Sequence, residues 1–173
     1  DRALPTSAVV LGARATASSA LAALGELDIV TSTIAARRFG GPGSVVAASS
    51  RLGISIEQVL WSDRGAVLRA VSGADLVIST LPAGVADSLA EEMTVREGQV
   101  LLDVVYSPRE TALRSAFERN GGIVAEGTDM LIFQAAAQVQ LMTGRSPKTD
   151  VMRGALEAEL ARRARPSGGG AAS

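Results

Sequence analysis

Short apolar runs recur along residues 7–125, and a segment with helical spacing follows most of them. Most runs are apolar throughout instead of alternating, which is typical of strands covered on both faces of a parallel sheet. They predict strands over residues 7–11, 28–36, 54–61, 74–80, 99–105 and 123–125. The pattern predicts an α/β fold, a doubly wound parallel sheet of about six strands with the first strand at its centre.

Helical spacing and end signals define the intervening segments. We predict helices over residues 15–24, 44–52, 63–71, 85–92, 110–120, 129–142 and 151–163. Gly25, Gly53 and the pair Gly121 and Gly122 follow three of these helices and indicate their ends. We predict one domain over residues 1–164 that includes the C-terminal helices, and a flexible tail over residues 165–173.

The amino-acid composition excludes several classes of functional site. The sequence is 47% hydrophobic with a net charge of -1, so it can form a core, and its basic residues are scattered among acids, which disfavours nucleic-acid binding. It has no Cys and no His, which excludes disulfides, thiolate or zinc sites and a Ser-His-Asp triad. No apolar stretch approaches the ~20 residues of a membrane span, and no signal-peptide pattern is present, so we expect a cytoplasmic protein without a membrane or metal partner.

Ligands of doubly wound folds bind beyond the carboxyl ends of the strands. The loop after the first strand reads Gly12-Ala13-Arg14-Ala15-Thr16-Ala17. A dinucleotide fingerprint has glycine at the first and middle of its three fixed positions and Gly or Ala at the third, and here Arg14 occupies the middle one. On this motif alone, an ordinary strand-to-helix turn is an equally good interpretation.

The second predicted strand is followed by Arg37 and Arg38. An acid at this place binds the ribose of NAD, whereas arginine suits the 2′-phosphate of NADP. A solvated pair of charges in a loop is the alternative.

Three later segments carry a resemblance to a known family: DLVISTLPAG at 75–84, LLDVVYSPRETAL at 101–113 and EGTDMLIFQAAAQVQLMTGRSP at 126–147. They resemble the C-terminal half of shikimate dehydrogenases. The third segment is the most specific, because its spacing follows the family at Gly127, Met130-Leu131, Gln134-Ala135, Thr143-Gly144 and Pro147. The resemblance covers residues 8 to about 156, and the alanine- and arginine-rich composition is similar to that of actinobacterial members.

The resemblance implies a Rossmann-like NADP-binding domain of an enzyme that reduces 3-dehydroshikimate to shikimate with NADPH, in the shikimate pathway of aromatic amino-acid biosynthesis. In that family an N-terminal domain brings most of the substrate site and a catalytic Lys-Asp pair, which this sequence does not match. We therefore assign no catalytic residue here and expect no turnover by this chain alone. Lys148, its one lysine, lies far from the family's catalytic lysine.

The resemblance also implies roles for individual residues. It assigns the cofactor to Gly12, Ala13, Thr16, Arg37, Thr80, Leu81, Val104 and Gly127. By their positions in the same two loops, we add Arg14, Ala15 and Arg38 to the candidate cofactor residues. The resemblance assigns the substrate to Tyr106 and Gln134, for which packing at a strand end and an ordinary polar helix position are the alternatives. The partners it implies are shikimate or 3-dehydroshikimate and a substrate domain. Without that domain we expect the helix at 151–160 to be exposed, and to pair in a homodimer or loosen.

The family has glycine where this sequence has Arg14 and Ala15. If the turn needs a positive φ, Arg14 costs on the order of 1 kcal/mol. The Arg14 side chain either obstructs the cofactor or reaches a phosphate, and we expect obstruction because a long side chain there has little space. The alternative function is a non-catalytic nucleotide-binding or interaction module with a degenerate phosphate loop.

Overall fold

The structure is a computed structural model that describes residues 4–164. Its strands are β1 Ala8–Leu11, β2 Thr31–Ala36, β3 Ser55–Leu60, β4 Leu76–Ser79, β5 Val100–Asp103 and β6 Ile123–Glu126. All neighbouring strands pair in parallel, in the order β3-β2-β1-β4-β5-β6. The prediction of a doubly wound parallel sheet with the first strand at its centre is confirmed.

Helices connect the strands and follow the last one. They are α1 Ala15–Glu26, α2 Val45–Leu52, α3 Arg64–Gly73, α4 Asp87–Glu92, α5 Ala112–Arg119, α6 Gly127–Thr143 and α7 Thr149–Ala164. Side-chain oxygens of Ser44, Asp63 and Thr111 accept hydrogen bonds from the first turns of α2, α3 and α5, so these helices begin where a cap is available. No helix in the described part of the chain is long and apolar enough to cross a bilayer.

Alternate residues of β1 face two different helical layers. Val9 and Leu11 belong to a core with Val67 and Val71 of α3 and Phe117 of α5. Ala8 and Val10 belong to a second core, in which they lie with Leu21, Leu24, Ile34 and Val45. Because both faces are buried, every side chain of the strand is apolar, which is the pattern that predicted the fold.

Two predicted boundaries near α1 were wrong. The helix continues past Gly25 to Glu26, and Gly25 is a packing residue, since a Cβ there would lie 2.8 Å from Cδ1 of Ile54. β2 begins at Thr31 instead of residue 28, because Asp28 has a φ of 60° and its N–H donates to the Gly25 carbonyl. A turn at Leu27 and Asp28 therefore takes the place of the start of the predicted strand, and pairing begins three residues later.

The amino ends of β1 and β4 are joined through Asp75. Its Oδ2 accepts hydrogen bonds from the backbone N–H and hydroxyl groups of Thr6 and Ser7, at 2.9–3.2 Å. The N–H of Thr6, the hydroxyls of Thr6 and Ser7, and Arg96 hold the pKa of Asp75 well below its ordinary value, against the opposing effect of burial. This cluster lies at the edge of the sheet opposite the loops that sequence analysis selected.

The chain divides into two compact units after Gly127. The second unit contains α6 and α7, which confirms the two predicted C-terminal helices within a few residues. Arg153 of α7 pairs with Asp129 of α6. Phe133, Leu141 and Met142 of α6 are largely exposed. The single domain over residues 1–164 stays a prediction, and the predicted tail at 165–173 lies outside the described residues.

Candidate functional site

The last residues of four strands form a row at the carboxyl edge of the sheet. Leu11 pairs with Ser79, Ser79 pairs with Asp103, and Asp103 pairs with Glu126. The residues that follow these strands, together with those after β2, include every cofactor residue selected from the sequence. The first unit therefore brings these loops to one edge, which is where ligands of such sheets bind.

Gly12 follows β1 and lies directly against Thr80, the residue after β4. Its N–H donates to the Ala35 carbonyl at 2.8 Å, and its φ is +113°. A Cβ on Gly12 would overlap Oγ1 of Thr80, and that hydroxyl is held in place by donating to the Leu11 carbonyl at 2.9 Å. The first fingerprint position therefore requires glycine for both conformation and space.

Arg14 has an ordinary extended backbone, with φ -99° and ψ -164°. The positive φ considered for this position from the sequence does not occur, so the residue carries no conformational strain. Its side chain is exposed, while Ala13 before it and Ala17 after it are buried. Ala17 thus fits the third fingerprint position, where a small side chain lets the helix pack closely on the sheet.

The amino end of α1, which includes Ala15 and Thr16, carries no side-chain cap and no acid in its first turn. Its first N–H groups and the helix dipole are therefore available to an anion. The loop between β2 and α2 packs beside it, since the N–H of Val45 donates to the Ala13 carbonyl and the Ser18 hydroxyl donates to the Gly43 carbonyl.

Three exposed arginines lie in these two loops, Arg14 at the start of α1 and Arg37 and Arg38 after β2. None of the three makes an ion pair with another residue of the described range 4–164. The loops therefore present positive charge without acidic partners in that range, and this arrangement fits a phosphorylated ligand.

The loops after β4, β5 and β6 also lie close to one another. The N–H of Val104 donates to the Ser79 carbonyl at 3.1 Å. A Cβ on Gly127 would lie 2.7 Å from the Val104 carbonyl oxygen, so only glycine fits there. Leu81 lines a small pocket whose lining also includes Ser79, Asp103 and Thr111.

The two predicted substrate residues lie in different units. Tyr106 is in the loop between β5 and α5, is 44% exposed, and makes no side-chain hydrogen bond among the described residues. Gln134 is exposed on α6, in the second unit. Both side chains are accessible to solvent, Tyr106 in the first unit and Gln134 in the second.

A set of polar residues around the loop that carries Tyr106 was not predicted from the sequence. Asp103 is 5% exposed, and its carboxylate accepts hydrogen bonds from the hydroxyl of Thr111 at 2.7 Å and the N–H of Val105 at 3.2 Å. Glu126 accepts from both Arg109 and Arg114. An acid at the end of a strand and a threonine just before a helix were the signals in LLDVVYSPRETAL.

The ion pairs of this set change the pKa of Arg114. Burial acts to lower the pKa of Arg114, but hydrogen bonds to Glu126 and Glu118 outweigh it and raise the pKa above its ordinary value. No group of three or more His, Cys, Asp or Glu that would suit a metal ion occurs within residues 4–164. The site as described can bind an anion and orient a ligand by hydrogen bonds.

Comparison with known proteins gives consistent results in sequence and in structure. Residues 127–157 match the family model described as the shikimate 5′-dehydrogenase C-terminal domain. The shikimate dehydrogenase (NADP(+)) of Methylocella silvestris is 33% identical over 162 residues, which are 91% of this chain and 55% of that protein. The shikimate dehydrogenase of Mycobacterium tuberculosis superposes with a TM-score of 0.75 at 35% identity, over 87% of this chain and 56% of that one.

A third similar protein was solved with ligands. Shikimate 5-dehydrogenase from Thermus thermophilus, in complex with NADP(H) and shikimate, has a TM-score of 0.65 and 26% identity, over 91% of this chain and 55% of that one. The matches span between about a third and about half of the length of the curated relatives. The matched family model, the sequence identities and the superpositions together show that the chain belongs to the shikimate dehydrogenase family, where it corresponds to the C-terminal part.

Proposed function

We propose that this chain binds NADP at the carboxyl edge of its sheet and serves as the cofactor-binding part of a shikimate dehydrogenase, which reduces 3-dehydroshikimate to shikimate. The observation that carries the proposal is the junction of Gly12 and Thr80 before the uncapped amino end of α1, with three exposed arginines, Arg14, Arg37 and Arg38, in the loops after β1 and β2. The similarity to proteins with bound NADP(H) supports it.

The pyrophosphate is expected at the start of α1. Gly12 makes the tight turn that leads from β1 into α1, and the N–H groups of Ala15 and Thr16 point from an uncapped helix end. Arg14 is exposed and unstrained, so its side chain has room to turn away from the backbone. This favours the second of the two roles considered for Arg14, in which its guanidinium pairs with a phosphate.

The adenosine 2′-phosphate is expected at Arg37, with Arg38 beside it. Both follow β2, where the sheet presents the ribose-binding position of dinucleotide-binding folds. A charge-assisted hydrogen bond there contributes roughly 1.5 to 3 kcal/mol, or about one to two decades in affinity. The chain should therefore bind NADPH more tightly than NADH.

Thr80, Leu81, Val104 and Gly127 are expected along the nicotinamide half of the cofactor, and Tyr106 and Gln134 at the substrate. The cofactor, when bound, supplies the hydride that reduces the substrate carbonyl. This chain's own residues bind and orient, and the proton is expected from the Lys-Asp pair of a substrate domain. A cytoplasmic location is part of the proposal, and the lack of cysteine in the sequence is compatible with that reducing compartment.

A substrate domain is also expected to cover exposed apolar side chains of the second unit, among them Phe133, Leu141 and Val151. When that domain is missing, we expect these side chains to drive pairing with a second copy of the chain. Light scattering tests this, and a strictly monomeric chain at high concentration would contradict it.

Calorimetric titration with NADPH and NADH tests the cofactor assignment. Arg37→Ala should remove most of the preference for NADPH and leave NADH binding nearly unchanged. Arg51→Ala is the matched control, since Arg51 is an exposed arginine in the last turn of α2. Failure to bind either cofactor, or equal affinity of the unmodified chain for both, would refute the proposal.

The reaction is tested separately, by following NADPH formation with shikimate or quinate as substrate. The chain alone should show no measurable turnover, and addition of a family substrate domain should restore it. Robust turnover by the chain alone would contradict the assignment of the proton-transfer groups to another domain.

A further inference from the structure

We infer that Asp103 and Glu126 are positioning residues that hold the loop over residues 104–111, and with it Tyr106, at the carboxyl edge of the sheet. The inference rests on the proposed function, in which Tyr106 contacts the substrate. It adds two carboxylates and their partners to that site, none of which was selected from the sequence.

Tyr106 depends on its loop for its position. Its side chain makes no hydrogen bond among the described residues and is 44% exposed. The position of a side chain that makes no hydrogen bonds of its own depends on the conformation of the backbone that carries it. The ties that hold this backbone therefore decide where the phenol lies.

Asp103 closes both ends of the loop. Its Oδ1 accepts from the N–H of Val105, the residue before Tyr106, and its Oδ2 accepts from the hydroxyl of Thr111. The Thr111 oxygen in turn accepts from the N–H of Arg114 at 3.2 Å, which caps α5. One buried carboxylate thus fixes the end of β5, the start of the loop and the start of the next helix.

Glu126 holds the same loop from the neighbouring strand. Its Oε2 pairs with Arg109, which lies in the loop, and its Oε1 pairs with Arg114 of α5 at 3.2 Å. Gly127, the next residue, leaves no space for a Cβ against Val104. Backbone contact and ion pairs therefore join the end of β6 to both sides of the loop.

The register of the sheet places these two acids side by side. Asp103 and Glu126 are paired residues of β5 and β6, a placement in which like charges are destabilising. The repulsion is offset because each acid has its own donors, the Thr111 hydroxyl for one and two guanidinium groups for the other. All these donors belong to the loop or to the first turn of α5, so the contacts that offset the repulsion also hold the loop.

Tyr106 is the one tyrosine of the sequence, which makes its position measurable. Incorporation of 3-fluorotyrosine gives a single ¹⁹F resonance that reports on this loop without any cofactor or substrate. Thr111→Val removes the hydroxyl at nearly constant volume, and Thr111→Ser retains it. We expect the resonance to move at least half of the way toward its position in urea with valine, and to stay near the unmodified position with serine.

Glu126→Gln tests the second tie, and Glu118→Gln is its matched control, because Glu118 pairs with Arg114 but not with Arg109. We expect a shift and a narrower line for Glu126→Gln and no change for Glu118→Gln. Trp61 fluorescence, the one tryptophan signal, verifies that each variant is folded.

The outcomes separate this inference from the proposed function. An unchanged ¹⁹F resonance in folded Thr111→Val and Glu126→Gln would overturn the inference, as would equal shifts for valine and serine at position 111 or for the two glutamine variants. Loss of the proposed function would show as failure to bind NADPH in the titration above, which does not alter the ¹⁹F result.

Discussion

Replacement of Gly12 by alanine tests the geometry at the centre of the candidate site. At a φ of +113° a non-glycine residue costs on the order of 1 to 3 kcal/mol. The new Cβ would also overlap Oγ1 of Thr80, which must turn away and lose its hydrogen bond to the Leu11 carbonyl, at about 1 kcal/mol. We expect Gly12→Ala to lower the free energy of unfolding by about 2 to 4 kcal/mol. This loss is smaller than the total free energy of unfolding of a typical protein.

A double-mutant cycle separates the two causes. Thr80→Ala removes Oγ1 and leaves its Cβ 3.5 Å from the new methyl group, which is ordinary contact. The cost of Gly12→Ala should therefore be about 1 kcal/mol smaller in the Thr80→Ala background. Gly43→Ala is the control for conformation alone, because Gly43 has a φ of +69° and no neighbour within 4 Å of a Cβ, and should cost about 1 to 2 kcal/mol.

Urea unfolding followed by Trp61 fluorescence measures all four variants, since Trp61 packs against one of the two cores. Strict additivity of Gly12→Ala and Thr80→Ala would refute the steric argument. A cost for Gly12→Ala no larger than that for Gly43→Ala would refute the claim that this position is more restricted than an open left-handed turn.

Three further predictions concern other parts of the first unit. Asp75→Asn should lower the free energy of unfolding by about 1 kcal/mol at pH 7. Because the folded state lowers the pKa of Asp75, this contribution is present above about pH 4 and is lost as the pH falls further. The free energies of unfolding of the unmodified protein and of Asp75→Asn should therefore converge at acid pH, and a constant difference between them would contradict this prediction. Ser32→Ala should raise the melting temperature in calorimetry, because the buried Ser32 hydroxyl has no hydrogen-bonding partner among the described protein groups, and a lower value would oppose this. Arg14→Gly should weaken NADPH and NADH alike by about three- to tenfold in calorimetric titration, and tighter binding would restore obstruction as its role.

The fold was predictable because burial on both faces leaves a direct trace in the sequence. The continuous apolar run of β1 reflects two cores that share one strand, and parallel strands follow from that. Strand ends were less predictable, since pairing with a neighbour decides where a strand begins. The turn at Asp28 shortened β2 although the residues after it are β-branched and apolar.

The site was predictable as a set of loops but not as a set of contacts. The rule that ligands bind at carboxyl ends selected the loops of Gly12 and Arg37 from strand positions, and the family resemblance added Thr80. The contact between Thr80 and the end of β1 joins residues 69 apart, and the pairing of Asp103 with Glu126 depends on strand order. The backbone conformation of Arg14 could not be predicted from the sequence either, because φ at one residue depends on the conformation of the whole turn.

The attachment of Thr6 and Ser7 to Asp75 has a practical consequence for handling the protein. These residues lead into β1 at the amino edge of the sheet, and Ser7 lies five residues before Gly12, which corresponds to about 16 Å along an extended strand. A tether added upstream of residue 4 therefore starts from the side of the sheet away from the nucleotide loops. Immobilising the protein through that end should leave those loops open to solution, which suits surface-based measurement of cofactor binding.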